Sequence, residues 1–355
     1  MSRFFSPRHA SLAAYTPGEQ PQDRRYVKLN TNESPFPPSP AVVQAAAAEA
    51  ARLQLYSDPE SAIATKAVAD RYGVTPDMVL LTNGSDEILN FAFMAYGDAE
   101  HGFVCPDITY GFYPVFAAVN RVPLREIPLT EDFQVNVSDY CGVGANVVLA
   151  NPNAPTGRLL SLDEIERIVQ TNSDHVVIID EAYIDFGGVS CVPLVHKYDN
   201  LLVTQTFSKS RSLAGARLGF GIGNAALIRD LNTIKYSTNP YNVNRMTAAC
   251  GAAAIADDAY YIRNARTIVE NRAYTASELE KRGFVVLPSA ANFLFVRPGF
   301  CSGGALYRGL KARGVLIRHW DKPRIAAWCR ITIGTKDQMD ALLEAIDDLK
   351  KEAAL

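Results

Sequence analysis

From about residue 100 the chain alternates short apolar runs with stretches of helical spacing. Nothing else in it constrains the fold as much, because strands that recur with helices between them read as a parallel sheet with crossover helices. The candidate strands are residues 102–105, 146–150, 176–180, 201–206 and 217–222. They are rich in Val, Ile and Leu without polar alternation, as strands covered on both faces require. Between the second and third, Ser161 stands three residues ahead of Glu164, a capping box opening a helix over 162–171. The last third changes character, with short runs at 284–287, 292–296, 315–318 and 329–333 divided by Gly- and Pro-containing turns. A closing helix starts at Thr335, with Gln338 three residues on, and carries Met339, Leu342, Leu343, Ile346 and Leu349 on one face. Near the other end Pro35, Pro37, Pro38 and Pro40 crowd one loop before an Ala-rich helix over 41–52. This organisation is an irregular arm over 1–29, a large α/β domain over 30–247 and a smaller α+β domain over 248–355.

A chain of 355 residues suits two such domains. Composition matters for what it excludes. Lys and Arg number 35 against 38 Asp and Glu, so the net charge is −3 and no basic block offers a nucleic acid or an anionic membrane a surface. No window reaches the roughly 18 unbroken apolar residues of a membrane span, and the first residues lack the apolar core of a secretory signal. A cytoplasmic globular protein is expected. The six cysteines lie far apart, Cys301 and Cys329 being the closest pair, and the five histidines are scattered, so a zinc site is not expected. One apparent nucleotide motif is set aside. Gly221, Gly223 and Ala226 fit G-x-G-x-x-A, but this follows at least four strands rather than the first, and no acid occurs between 241 and 252. A close-packed strand end is the better reading.

Five segments carry chemistry. Lys209 follows an apolar strand among Thr206, Ser208 and Ser210, eight residues before Arg217. Hydroxyls beside a lysine with a returning arginine suit a phosphate cradle around an amine nucleophile, although a lone lysine among serines is more often a solvated loop. Asp180 ends the apolar run Val176-Val-Ile-Ile, ahead of Tyr183. Open α/β sheets place ligands at such strand ends, and a carboxylate buried there must find a cation or hydrogen-bond donors; alone, it reads equally as a helix cap. Thr82-Asn-Gly-Ser-Asp-Glu87 opens an apolar helix over 88–96, either as an ordinary cap or with free amides facing an anion. Asn151-Pro-Asn-Ala-Pro-Thr-Gly157 is a turn after a strand, and Asp107-Ile-Thr-Tyr110-Gly-Phe-Tyr113 is an aromatic cluster past another.

In this order and spacing the five segments resemble the fold type I pyridoxal-phosphate aminotransferases, and within the class II branch the histidinol-phosphate aminotransferase group. The resemblance runs from about Tyr15 to the C-terminal helix. It includes Leu29-Asn-Thr-Asn-Glu33, Leu55-Tyr-Ser-Asp-Pro59, Asn292-Phe-Leu-Phe-Val-Arg297, Arg318 and Cys329-Arg-Ile-Thr-Ile-Gly334. It implies a mostly parallel seven-stranded-type sheet flanked by helices, a smaller α+β domain, and pyridoxal 5'-phosphate as cofactor. It also implies the roles. Lys209 bonds to the cofactor and then moves the substrate proton. Asp180 pairs with the ring nitrogen, Tyr183 and Asn153 with the ring oxygen, and Tyr110 stacks on the ring. Ser85, Asp86, Thr206, Ser208 and Arg217 hold the phosphate, with Tyr56 reaching the phosphate of a neighbouring subunit in a homodimer with shared sites. Arg330 and Arg318 grip a substrate carboxylate, and Tyr15 closes over the substrate. The family's turn has asparagine directly before Pro-Thr-Gly, where this chain has Ala154, so Asn153 is one residue out of place. His319-Trp320-Asp321 after Arg318 is also unusual.

The implied activity is transamination of L-histidinol phosphate with 2-oxoglutarate, a step of histidine biosynthesis. Aromatic amino acids as donors are the alternative, and decarboxylation of a phosphorylated amino acid a more distant one, since fold-level likeness does not settle substrate. A non-catalytic regulator that senses the cofactor would need a DNA-binding module, for which the stretch before Asn30 leaves little room.

Overall fold

The computed structural model describes residues 2–10 and 12–353. Thirteen strands occur among them: β1 (Val27–Lys28), β2 (Val79–Thr82), β3 (Phe103–Pro106), β4 (Leu124–Ile127), β5 (Asn146–Ala150), β6 (Val177–Asp180), β7 (Leu201–Thr206), β8 (Gly219–Gly223), β9 (Val285–Val286), β10 (Phe293–Arg297), β11 (Val315–Leu316), β12 (Arg318–His319) and β13 (Cys329–Thr332). Seven of them form the large sheet in the order β2-β8-β7-β6-β5-β3-β4, in which β8 alone runs against its neighbours. Successive residues of a strand point to opposite faces. Val147, Leu149, Val177 and Ile179 therefore enter one core with the helices Ala62–Tyr72, Leu162–Thr171 and Arg245–Ala256, while Val148, Ile178 and Leu202 enter a second with Ser85–Tyr96, Tyr113–Asn120 and Ala225–Thr238. Every residue of β5 and β6 is buried. That is why their sequences show no alternation.

The smaller sheet, β12-β13-β10-β9, is antiparallel. Its Phe293, Val296 and Ile331 pack on Met339, Leu342 and Ile346 of the closing helix Lys336–Ala353. The expected capping box forms at Ser161, and the helix start expected at Thr335 is a second one. Ser161 and Glu164 exchange side-chain and backbone bonds, and Gln338 Oε1 accepts from Thr335 N–H at 2.9 Å while Gln338 N–H donates to Thr335 Oγ1 at 3.3 Å. The glycine-rich β8 is the packed strand end expected, since a Cβ on Gly221 would stand 2.1 Å from Ile88 Cδ1.

Three differences from the sequence reading have local causes. β2 is a strand that periodicity did not single out, and so is β4, an edge strand whose Arg125 and Glu126 are exposed. The expected strand at 217–222 begins at Gly219, because Arg217 turns the chain at φ 56° after a short 3-10 turn. The expected strand at 315–318 is two strands. Val315–Leu316 pair with Val27–Lys28, and beyond Ile317 the chain pairs instead with β13. The first pairing is a two-stranded sheet of its own, and Leu29 just beyond it accepts from Thr332 N–H of β13 at 3.0 Å and joins the core there.

Candidate active site

The carboxyl ends of β5, β6 and β7 open on one cleft, the location where parallel sheets take their ligands. In register, Asp180 stands between Ala150 and Thr204. Its carboxylate is buried, with Oδ2 accepting from the Tyr113 hydroxyl at 2.9 Å and Oδ1 from Ala182 N–H at 3.2 Å. Burial pushes its pKa up to about 6, against the pull of the Tyr113 bond. Both partners are neutral, so the charge lacks a cation. A protonated ring nitrogen set against it would supply one. Tyr183 accepts from Asn32 Nδ2 at 3.0 Å, which leaves its own O–H free to donate into the cleft.

Lys209 lies above these two groups. Its Nζ donates to the Thr31 carbonyl at 3.1 Å and sits 5.7 Å from the centre of the Tyr183 ring. Beside it is a nest of donors. The helix Ser85–Tyr96 starts from Gly84 with no side-chain cap, so Ser85 and Asp86 are not the cap the sequence allowed, and their amides remain open. Ser208 Oγ accepts from Thr206 Oγ1 at 3.0 Å. Arg217 reaches Ser208 Oγ and Asp86 Oδ2, both at 3.5 Å, and at such long range its N–H groups stay available to an anion. Glycines make the approach possible. A Cβ on Gly84 would lie 2.5 Å from Arg217 Nη2, and one on Gly219 would lie 2.4 Å from Ser85 N. Tyr110 donates to Asp86 Oδ1 at 2.7 Å, and burial followed by Asp86 holds its phenol well above the usual range. These residues line a cavity of about 440 Å³. An anion nest at one end, a lone buried carboxylate at the floor and an amine beside them fit pyridoxal 5'-phosphate group by group.

A second cavity, about 490 Å³, adjoins the first through Thr31, Tyr110, Ala154, Tyr183 and Lys209, which line both. Tyr15 packs on Phe112 at its rim, ring centres 4.2 Å apart. Arg330 Nη2 donates to the Asn30 carbonyl at 2.9 Å, and its Nε is buried without a partner. Burial, and behind it the charge of Arg318, opposes the charge of Arg330. Among the described residues Arg318 donates to the carbonyls of Thr16 and Pro17.

The structure thus gathers Lys209, Asp180, Tyr183, Ser85, Asp86, Tyr110, Thr206, Ser208, Arg217, Arg330, Arg318 and Tyr15 around one cleft. Two of the sequence candidates stand apart from it. Asn153 lines neither cavity: its Oδ1 accepts from the Thr109 hydroxyl at 2.7 Å, and its Nδ2 donates to the Ile108 carbonyl and Thr156 Oγ1 at 2.9 and 3.0 Å. Ala154 is the residue that faces the cleft instead. Tyr56 is 81% exposed and stacks on Tyr241 away from the cleft, with ring centres 4.8 Å apart. Sequence reasoning missed Asn32 and Tyr113, although both lie inside motifs it singled out. No local pattern tells which side chain stands behind Tyr183 or Asp180.

Residues 24–346 match the family described as Aminotransferase class I and II. The histidinol-phosphate aminotransferase 2 of Dechloromonas aromatica is 46% identical over 98% of this chain and 99% of its own. The histidinol-phosphate aminotransferase of Pseudomonas putida strain W619 is 47% identical over 98% of this chain and all of its own. Among solved structures, the histidinol-phosphate aminotransferase of Sinorhizobium meliloti, in complex with pyridoxal-5'-phosphate, superposes with a TM-score of 0.89 over 99% of both chains at 23% identity. With nearly its whole length matched and this donor set at the strand ends, the chain belongs to the class I and II aminotransferases.

Proposed function

We propose that the protein transfers the amino group of L-histidinol phosphate to 2-oxoglutarate with pyridoxal 5'-phosphate as cofactor, a step of histidine biosynthesis in the cytoplasm. The observation that carries this reading is the position of Lys209, whose side chain borders both the phosphate nest with its carboxylate floor and the cavity holding Arg318 and Arg330. The full-length relatives of that name support the donor. Donor and acceptor share little except paired negative charge, in a phosphate or in two carboxylates. Two arginines that meet no carboxylate among the described residues are a grip that both can use.

Pyridoxal phosphate, when bound, supplies the electron sink for the pair left at the substrate Cα as its proton departs. Ser85 and Asp86 amides, Thr206, Ser208 and Arg217 hold its phosphate. Asp180 keeps the ring nitrogen protonated, with Tyr113 fixing the carboxylate from behind. Tyr183, its oxygen satisfied by Asn32, donates to the ring oxygen. Tyr110, which lines the same cavity, would cover the ring. Asn153 props the turn that presents Ala154, so Tyr183 carries the ring-oxygen contact. The amine of Lys209 would take the proton from the substrate Cα and hold it for return, a role in which positioned bases accelerate reactions about 10²–10⁴-fold. The exposed Tyr56 serves the phosphate of a second subunit, so the working unit is a homodimer with shared sites. In this scheme the arm (1–29) closes the cleft, residues 30–247 bind the cofactor and residues 248–355 bring the substrate grip.

A half-reaction tests the proposal. Purified enzyme loaded with cofactor is mixed with L-histidinol phosphate and no oxo acid, and the cofactor absorbance is followed. Rapid conversion to the amine form, faster than with L-phenylalanine at equal concentration, is the expected result. The rings of Tyr15, Tyr110 and Trp320 around the cleft favour a second reading, aromatic amino acids as donors. Conversion by phenylalanine and not by histidinol phosphate would put that reading in its place.

A further inference from the structure

The antiparallel ladder of β12 and β13 sets Arg318 directly opposite Arg330. Side chains opposite one another share a face and lie roughly 5 Å apart at Cβ, so two like charges there repel. Among the described residues neither guanidinium meets a carboxylate. Arg330 donates to Asn30 O, and Arg318 to Thr16 O and Pro17 O. Arg330 also lies over the Phe293 ring at 5.3 Å, but the one aromatic face that both meet is an indole. Trp320 lies two residues beyond Arg318, just past the end of β12. The Arg318 guanidinium carbon stands 5.4 Å from the centre of the Trp320 ring, and that of Arg330 stands 5.3 Å from it. The loop that carries the indole is tied at both ends. His319 Nε2 lies 2.9 Å from the Ala326 carbonyl, and Arg324 binds Asp107 Oδ2 at 2.6 Å and the Leu129 carbonyl at 2.9 Å on the far side of the cleft.

We propose that Trp320 is a positioning residue for substrate. Its π face replaces the carboxylate that would otherwise neutralise Arg318 and Arg330, and so holds the two cations together as a seat for a dianionic group. A carboxylate in this place would compete with substrate for the same N–H donors. An aromatic face attracts a guanidinium through its quadrupole and leaves the edge donors free. The unpartnered Nε of Arg330 is one such donor. The inference rests on reading the arginine pair as the substrate grip.

The test uses the cofactor-loaded enzyme and succinate, a dicarboxylate that cannot be transaminated, with binding measured by calorimetry in wild type, Trp320→Phe, Trp320→Leu and Trp320→Ala. The Phe variant should bind succinate within about threefold of wild type, and the Leu and Ala variants about tenfold more weakly, a loss between those of an exposed and a desolvated cation–π contact. KM for 2-oxoglutarate should rise in parallel with kcat changed less than about twofold. Leu binding as well as Phe would overturn the proposal, since apolar bulk would then suffice. Unchanged binding in all three variants would overturn it too. An intact cofactor absorbance band in the Leu variant separates loss of the seat from loss of the fold. Succinate binding is independent of the amino donor, so a wild type that ignores histidinol phosphate would sink the proposed function and leave this result readable.

Discussion

At the floor of the cleft, Asp180, Thr206, Ser208 and Lys209 come from the ends of two adjacent strands and the loop after them, whereas the mouth joins residues as distant as Asn30 and Arg330, 300 apart in the chain. The floor is set by a sheet buried on both faces, and each of its groups has a fixed partner. The mouth is a like-charge pair set against main-chain carbonyls, a shared indole and, under Arg330, the Phe293 ring, facing an arm that Arg318 itself holds down. Under the proposed function the difference follows from what each region would bind. A resident cofactor rewards a rigid site, while two unlike substrates that take turns need a grip that recognises only the charge they share.

Four experiments bear on that contrast. Lys209→Ala should lower the rate of the amino-transfer half-reaction by at least about 10³-fold, in the range expected for a positioned base, with the thermal midpoint of the cofactor-free protein almost unchanged. A loss below tenfold would remove Lys209 from the chemistry. Asp180→Asn should act on stability as well as rate. Burial raises the Asp180 pKa from 3.8 to about 6, so between those values the folded chain holds a proton that the unfolded chain has lost. Its contribution to the stability of the cofactor-free protein is therefore greatest below about pH 4, falls as pH rises to about 6 and is flat above. The Asn variant escapes that loss and should be up to about 3 kcal/mol more stable than wild type at pH 7.5, a gain that shrinks towards pH 4. Denaturant titrations at both pH values check it, and a gain independent of pH would contradict it. Glu181, pushed up to about 7 by burial, is present in both proteins and cancels.

At the mouth, Arg330→Ala should cost about 10²-fold in kcat/KM for 2-oxoglutarate, mainly through KM, as expected for losing charge-assisted bonds to a carboxylate. Arg330→Lys should recover little of it, because an ammonium cannot fork onto a carboxylate. If the loss appeared in kcat alone, Arg330 would belong with the floor. The smallest effect lies outside both regions. Ser161→Ala removes one side of a capping box and should lower stability by about 1 kcal/mol without changing either half-reaction.

The floor was largely legible in the sequence. An apolar run that ends in an acid, a hydroxyl-flanked lysine and an open helix start are each contained in a few neighbouring residues, and burial on both faces leaves its mark in composition. The mouth was legible only as separate arginines. Ladder register brings Arg318 opposite Arg330, and no periodicity in a two-residue strand announces it. The break of the expected strand 315–318 at Ile317 has the same origin, since the competing partner is β1 from the other end of the chain. Asn153 shows the converse, a residue near the right position whose amide is taken by Thr109, Ile108 and Thr156.

By itself, then, the sequence determined the alternation of strand and helix, both capping boxes, the buried central strands and the identity of the groups at their ends, because these depend on interactions among near neighbours in the chain. Tertiary structure alone decided that Asn32 stands behind Tyr183, that Tyr113 holds Asp180 and that one indole lies against two arginines. Those contacts join segments that meet only after the cores have packed, and no local pattern encodes the distance between them.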